Sequence, residues 1–259
     1  MLALLALGCP AAPTDTAEPL ACRAGPGLVQ LDGVLVDDLN TALALSNPWS
    51  NICLGEGEHV VLEDHATVRH ELLPGRMVIR GVGPQTRMTG DPELVPTLEN
   101  DDFLLVEDLY LSDVALQGGI VLDRVEAGRF IGFSTSGWAS DFTAREVIVT
   151  GRWVFQDAVI ADVLRTVEFA EIQGLTMEGS GAPSAVEVSG QTTLREMRFE
   201  RNSGAAIGIE EGGALMLVDA TFEENSCDVA VRDGQAWVCV RDDLGYVDEL
   251  RCDWEGTCS

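Results

Sequence analysis

The sequence predicts an all-β protein: a single-stranded right-handed parallel β-helix, a solenoid of short strands, with a short N-terminal capping helix and a disulfide-rich C-terminal cap. Three observations predict it. Leu194, Phe199, Asn202 and Ser203 recur as Leu217, Phe222, Asn225 and Ser226, 23 residues further on, and a period of that size is one supersecondary unit stacking on the next. The segments inside the repeat alternate apolar and polar residues, as in Ala185-Val186-Glu187-Val188, the pattern of a strand with one face in the core. Long helical patterns are absent from 55 to 240, which argues against leucine-rich or βαβ arrangements.

The elements follow in chain order. Residues 1–8, MLALLALG, are apolar and precede Cys9, after which Pro, Ala and Thr dominate. This run resembles a bacterial lipoprotein signal, in which the cysteine after a small residue is lipidated. Ala6 stands where that pattern usually has Leu, the positive n-region is missing, and eight residues are short for the apolar region. The simplest repair is a start upstream of Met1. Residues 1–9 are read as a partial signal with Cys9 as its lipidation site, and 10–21 as a flexible tether.

Asp37-Asp38 before Leu39, Ala42 and Leu43 reads as a capped amphipathic helix, placed to close the open apolar end that a solenoid leaves. Repeats then run to about residue 240. An earlier copy, Ile172 to Ser180, carries Met177 in the Phe slot, 22 residues before Phe199. Fainter copies lie at 77–81, 109–116, 120–122 and 146–150, and the readable period is 20–25 residues. Gly, Asn and Ser at 179–181, 202–204, 212–213 and 225–226 supply the corners. Asn202 and Asn225 hold equal places in successive coils and suit a structural hydrogen-bonded ladder. Residues 22–240 are therefore read as the solenoid with its N-terminal cap, and 241–259 as the C-terminal cap.

Seven cysteines lie toward the chain ends. With Cys9 set aside, Cys22, Cys53, Cys227, Cys239, Cys252 and Cys258 form an even set suited to disulfides in an oxidising compartment. Cys22 is placed to pair with Cys53, and the last four allow three pairings. No CxxC spacing points to zinc. The formal net charge is −27, and every one of the 16 basic residues is Arg. Such a field repels phosphates and anionic lipid heads, so nucleic acid is excluded as a partner, and the membrane is reached only through the lipid anchor.

The run from Leu39 through Ile52-Cys53-Leu54-Gly55-Glu56-Gly57 to Val78-Ile79-Arg80-Gly81, with the later Phe-x-x-Asn-Ser coils, resembles right-handed parallel β-helix proteins of the pectate-lyase-like fold. That fold also occurs in polymorphic outer-membrane proteins and other bacterial surface proteins. The resemblance covers about 35–240 and implies architecture rather than activity, because the fold carries lyases, hydrolases, adhesins and inert scaffolds.

No catalytic constellation emerges. A hydrolase needs paired carboxylates flanking the glycosidic bond. Asp37-Asp38 is used as a cap, Asp242-Asp243 falls outside the repeats, and Asn100-Asp101-Asp102 matches no galacturonase motif. His59, His65 and His70 share one segment with Glu58, Glu63, Asp64 and Glu71, at spacings too irregular for a metal site. No cofactor is expected; calcium is the one ion the acidic loops suit. Trp138 and Trp153 are the central candidates for sugar platforms. The leading reading is a non-catalytic, exported cell-envelope lipoprotein that acts as a scaffold or adhesion module for glycan or protein. The alternative is a carbohydrate-active enzyme, either a polysaccharide lyase or a glycoside hydrolase.

Overall fold

A computed structural model describes residues 22–67 and 75–259. It is an all-β parallel solenoid with one helix. On its first face nine segments stack in order: 51–54, 76–81, 103–107, 119–123, 136–140, 152–156, 170–173, 191–195 and 214–218. A second face runs from Gly57–Val60 to 221–223, and a third from His65–Thr67 to 227–231. Each face alternates core-facing and outward residues. Leu104, Val106, Ile120, Leu122, Trp153, Phe155, Ile172, Leu194 and Leu217 form the first face's share of one continuous core.

Coil length varies along the axis. Arg80 and Glu107, stacked on the first face, lie 27 residues apart, and Asn202 and Asn225 lie 23 apart. In the middle the separation falls to 16 between Gly118 and Ser134 and 17 between Asp123 and Ser140. The expected period of 20–25 therefore holds toward the C-terminal end, is exceeded in the N-terminal coils and falls short between about 97 and 165. There the corners shrink to one or two residues. The strand Val114–Ser140, 27 residues long, wraps more than one full coil without a break.

The corner between the first and second faces explains how a coil becomes so short. It is made by one residue with positive φ: Asp108, Arg124, Asp141, Asp157, Gly174, Glu196 and Asp219 in successive coils, at φ 47–79°. A single left-handed residue turns the strand while the residue two before it and the residue after it both stay in the core. Asp tolerates this conformation better than most side chains. The flanking pattern is constant: Val106-x-Asp108-Leu109, Leu122-x-Arg124-Val125, Ala139-x-Asp141-Phe142 and Phe155-x-Asp157-Ala158, with every apolar flank buried.

Both ends are closed. At the N-terminal end the helix Leu39–Leu45 buries Leu39, Ala42 and Leu43, and the Asp38 carboxylate accepts the Thr41 N–H at 2.7 Å. Val29–Leu31 pairs antiparallel with the first coil's Asn51–Leu54, and Cys22 is joined to Cys53. At the other end Ala236–Arg241 pairs antiparallel with Cys227–Asp233, and Tyr246–Asp253 with Ala214–Glu223. Antiparallel strands end the stack by covering its last open edge. The pairings left open by spacing are Cys227–Cys239 and Cys252–Cys258. The closure starts at Ala236, a little before the boundary expected at 241. Three disulfides fit a protein exported to an oxidising compartment. Among the described residues no helix is long and apolar enough to cross a membrane. Cys9 and the tether lie outside the described residues.

Candidate functional site

The residues singled out from sequence fall into separate places. Asn202 is 1% exposed. Its Oδ1 accepts the Ser180 N–H at 3.0 Å, and its Nδ2 donates to Met177 O at 3.3 Å and Asn225 Oδ1 at 2.8 Å. Asn225 donates in turn to Phe199 O and Asp228 Oδ1. This is a ladder between coils, with no face toward a ligand. Asn100 is buried and shapes the corner before Phe103 by donating to Phe103 O and accepting the Asp102 N–H. Asp102 accepts the Gly75 N–H at 2.7 Å, so the carboxylate of this pair that is described braces a turn. Asp242 and Asp243 are exposed in the connection between the two cap strands.

Of the three histidines, His70 lies outside the described residues. His59 is buried, with Nε2 2.8 Å from Gly55 O. The His65 Nε2 lies 3.1 Å from Ser46 Oγ, beside the end of the capping helix. Among the described residues no three His, Cys, Asp or Glu side chains are arranged to hold a metal ion. Burial pushes the His65 imidazole below its ordinary value of 6.5. The folded state then favours the neutral ring, so this contribution to stability is whole above about pH 6.5 and is lost as pH falls through the folded-state pKa. Between pH 7.5 and 5 the Tm of the wild type should fall more steeply than that of His65→Gln. Parallel declines would rule out His65 as the cause.

Two features of the outer surface stand out, and only Trp138 among their residues was expected from the sequence. The first is a charge cluster on the first face. Glu107, largely buried, pairs with Arg80, and Arg124 reaches Glu107, Asp108 and Asp123. The guanidinium of Arg124 donates to Asp108 and holds its carboxyl below the usual carboxylate range. Every carboxylate in the cluster faces an arginine, so the group forms an ion-paired network.

The second feature is aromatic. Phe103, Phe133, Trp138 and Phe169 are 45, 38, 44 and 48% exposed, and all lie on or beside the edge where the third face turns into the first. Trp138 is outward on the first face, stacked with Val154. The other tryptophan expected to serve as a platform, Trp153, is 1% exposed. It points inward because Gly132 and Gly137 leave it room: a Cβ at either would fall 2.4 Å from its ring. An open trough of about 480 Å³ follows the edge, lined by Glu99, Gln117, Phe133, Thr135 and Thr150 among others. Further along, a second of about 420 Å³ begins at Phe169 and includes Gln191 and Thr193. Inward–outward alternation would have placed Trp138 on the surface, but the short coils hid its register.

No protein-family model matches the chain, and no curated protein shows significant similarity to it. Among solved structures, an alginate lyase from Paenibacillus sp. str. FPU-7 is similar with a TM-score of 0.35 and 13% sequence identity, covering 73% of this chain and 92% of that one. A likeness of this extent bears on neither activity nor substrate here.

Proposed function

We propose that the chain is an exported carbohydrate-binding β-solenoid that holds a glycan along the edge between its third and first faces. The observation that carries this reading is the exposed set Phe103, Phe133, Trp138 and Phe169 beside the amide and hydroxyl groups of Gln117, Thr135 and Thr150. Aromatic faces cover the C–H faces of pyranose rings, and neighbouring polar groups fix their orientation. Soluble polysaccharides should bind the fragment starting at Cys22 in calorimetry or affinity electrophoresis. Trp138→Ala and Phe133→Ala should each weaken binding by about tenfold, or 1.4 kcal/mol. Failure of every glycan tested to bind would sink the reading.

A second reading, cleavage of the bound chain, is favoured by the Arg80, Glu107, Asp108, Asp123 and Arg124 cluster on the same face. Weighing against it, a general base needs a pKa near the working pH, whereas Asp108 is held low and its neighbours are engaged by guanidinium groups. Release of oligosaccharides by the wild type, lost in Glu107→Gln, would favour the enzyme over the binding module. Anchoring to the cell envelope through Cys9 belongs to the same proposal. Labelled palmitate should be incorporated by the full chain and not by Cys9→Ala, and incorporation that survives the change would refute the anchor.

A further inference from the structure

The two ends of the solenoid differ in charge. Residues 39–55 form the capping helix, the turn after it and the first strand of the first coil, and none of them is charged. At the other end 8 of the 19 residues in 241–259 are charged. A solenoid is normally closed by a polar outer face; the C-terminal closure has one, and the N-terminal cap does not. Val34, Leu35 and Leu45 are each more than half exposed, and Trp49 is 41% exposed. Val34 and Leu35 lie on the edge strand of the hairpin, two strands beyond the first coil. Leu45 ends the helix. Trp49 stands in the turn that brings the chain from the helix into the first coil, next to Pro48, which packs over Gly75 of the second. The few carboxylates here are mostly engaged. Asp32 accepts the Asn51 N–H at 2.8 Å and Asp38 the Thr41 N–H at 2.7 Å, while Asp37 is exposed.

The chain also enters at this end. Cys22 is bonded to Cys53 of the first coil. Residues 10–21 separate it from Cys9, and a segment of that length spans at most about 45 Å. A lipid at Cys9 therefore keeps the uncharged end near the bilayer at a high effective concentration, so shallow contact needs little affinity of its own. Tryptophan suits the headgroup level and leucine the acyl boundary beneath it. The rest of a chain of net charge −27 is repelled by anionic headgroups, which favours the neutral end over the sides.

We infer that the N-terminal end of the solenoid is a membrane-contacting face, on which Val34, Leu35, Leu45 and Trp49 enter the interface of a bilayer with little net charge. The solenoid then stands on that end, and the edge between its third and first faces is held clear of the surface. The inference takes its setting from the Cys9 anchor proposed above and adds a second, non-covalent contact to it.

The test couples the full chain through Cys9, the cysteine outside the three disulfides, to a maleimide-headgroup lipid in phosphatidylcholine vesicles. Tryptophan emission is then compared between ordinary and brominated acyl chains, because bromine quenches only an indole that reaches the bilayer. Emission should fall in the brominated vesicles by up to the share of one tryptophan in five. The fall should vanish in Trp49→Phe and persist in Trp138→Phe and Trp254→Phe. Leu35→Asp combined with Leu45→Asp should remove most of it while coupling and Tm stay unchanged, since both positions are exposed. No quenching in the wild type, quenching that survives Trp49→Phe, or quenching lost in Trp254→Phe would overturn the inference. So would a dimer of Cys9→Ala in lipid-free buffer that Leu45→Asp dissociates, because the face would then join two copies. Chemical coupling keeps this result separate from the anchor itself. Palmitate incorporated without quenching leaves the anchor and removes the face, whereas quenching without palmitate incorporation leaves the face and removes the anchor.

Discussion

Replacing Trp153 by alanine should lower stability by about 3–5 kcal/mol, the cost of truncating a large aromatic in a core that only partly collapses. Trp153 sits where coils are shortest and the solenoid is narrowest. Its ring meets Phe130 edge-on at 5.4 Å and stacks with Phe155 at 6.0 Å, and its Nε1 donates to Thr150 O at 3.1 Å. The indole fits because two residues of neighbouring coils, Gly132 and Gly137, lack side chains. Gly137→Ala alone should therefore also destabilise, by overpacking. The two changes should be strongly coupled, since a methyl at 137 has space once the indole is gone. Urea denaturation of the four proteins of this cycle checks both points, and additive losses would contradict the packing account. The functional consequence is local. Trp138 follows Gly137 directly, so loss of the packing beneath Gly137 should weaken glycan binding as well as stability.

The fold was legible in the sequence where the coils are long. The Phe-x-x-Asn-Ser repeats stack in the register their spacing implies: Met177 on Phe199 and Phe199 on Phe222. The capping helix starts at Leu39 after Asp38, as its capping residue and apolar spacing require. The central coils were hidden for a physical reason. A repeat is recognised by its turns, and at one-residue corners no Gly, Asn or Ser cluster marks the boundary. The signal that survives is the left-handed residue between two apolar ones, as in Leu122-x-Arg124-Val125, repeating every 16 or 17 residues. It is faint because Asp, Glu, Arg and Gly share the place. The site was less legible than the fold. Whether Trp138 or Trp153 faces outward depends on register, and a one-residue slip reverses it.

Asn202→Ala should cost about 2–4 kcal/mol, well beyond the ordinary worth of one hydrogen bond, because it strands buried partners rather than removing a contact cleanly. The Ser180 N–H and the Met177 carbonyl both lose their side-chain partner, and Asn225 Oδ1 loses a donor. Asn225 is less buried, and its Oδ1 also accepts the Asn202 N–H at 3.2 Å. Its replacement should cost less, and the double variant should fall short of the sum, since each change removes part of the same network. Asn202→Asp separates hydrogen bonding from shape. The volume is kept, but the donor to Met177 O and Asn225 Oδ1 becomes an acceptor, so two acceptors face each other in a buried site. That variant should be at least as unstable as Asn202→Ala at pH 7 and should recover part of the loss on acidification, when a protonated carboxyl can donate again. Equal stability of Asn202→Asp and wild type at pH 7 would mean the ladder contributes by packing alone. Asp228 ties the ladder to the cap, accepting from Asn225 on one oxygen and from the Leu244 N–H at 2.8 Å on the other. Loss of the ladder should therefore loosen the C-terminal closure first, with faster hydrogen exchange at Leu244 than at the central coils.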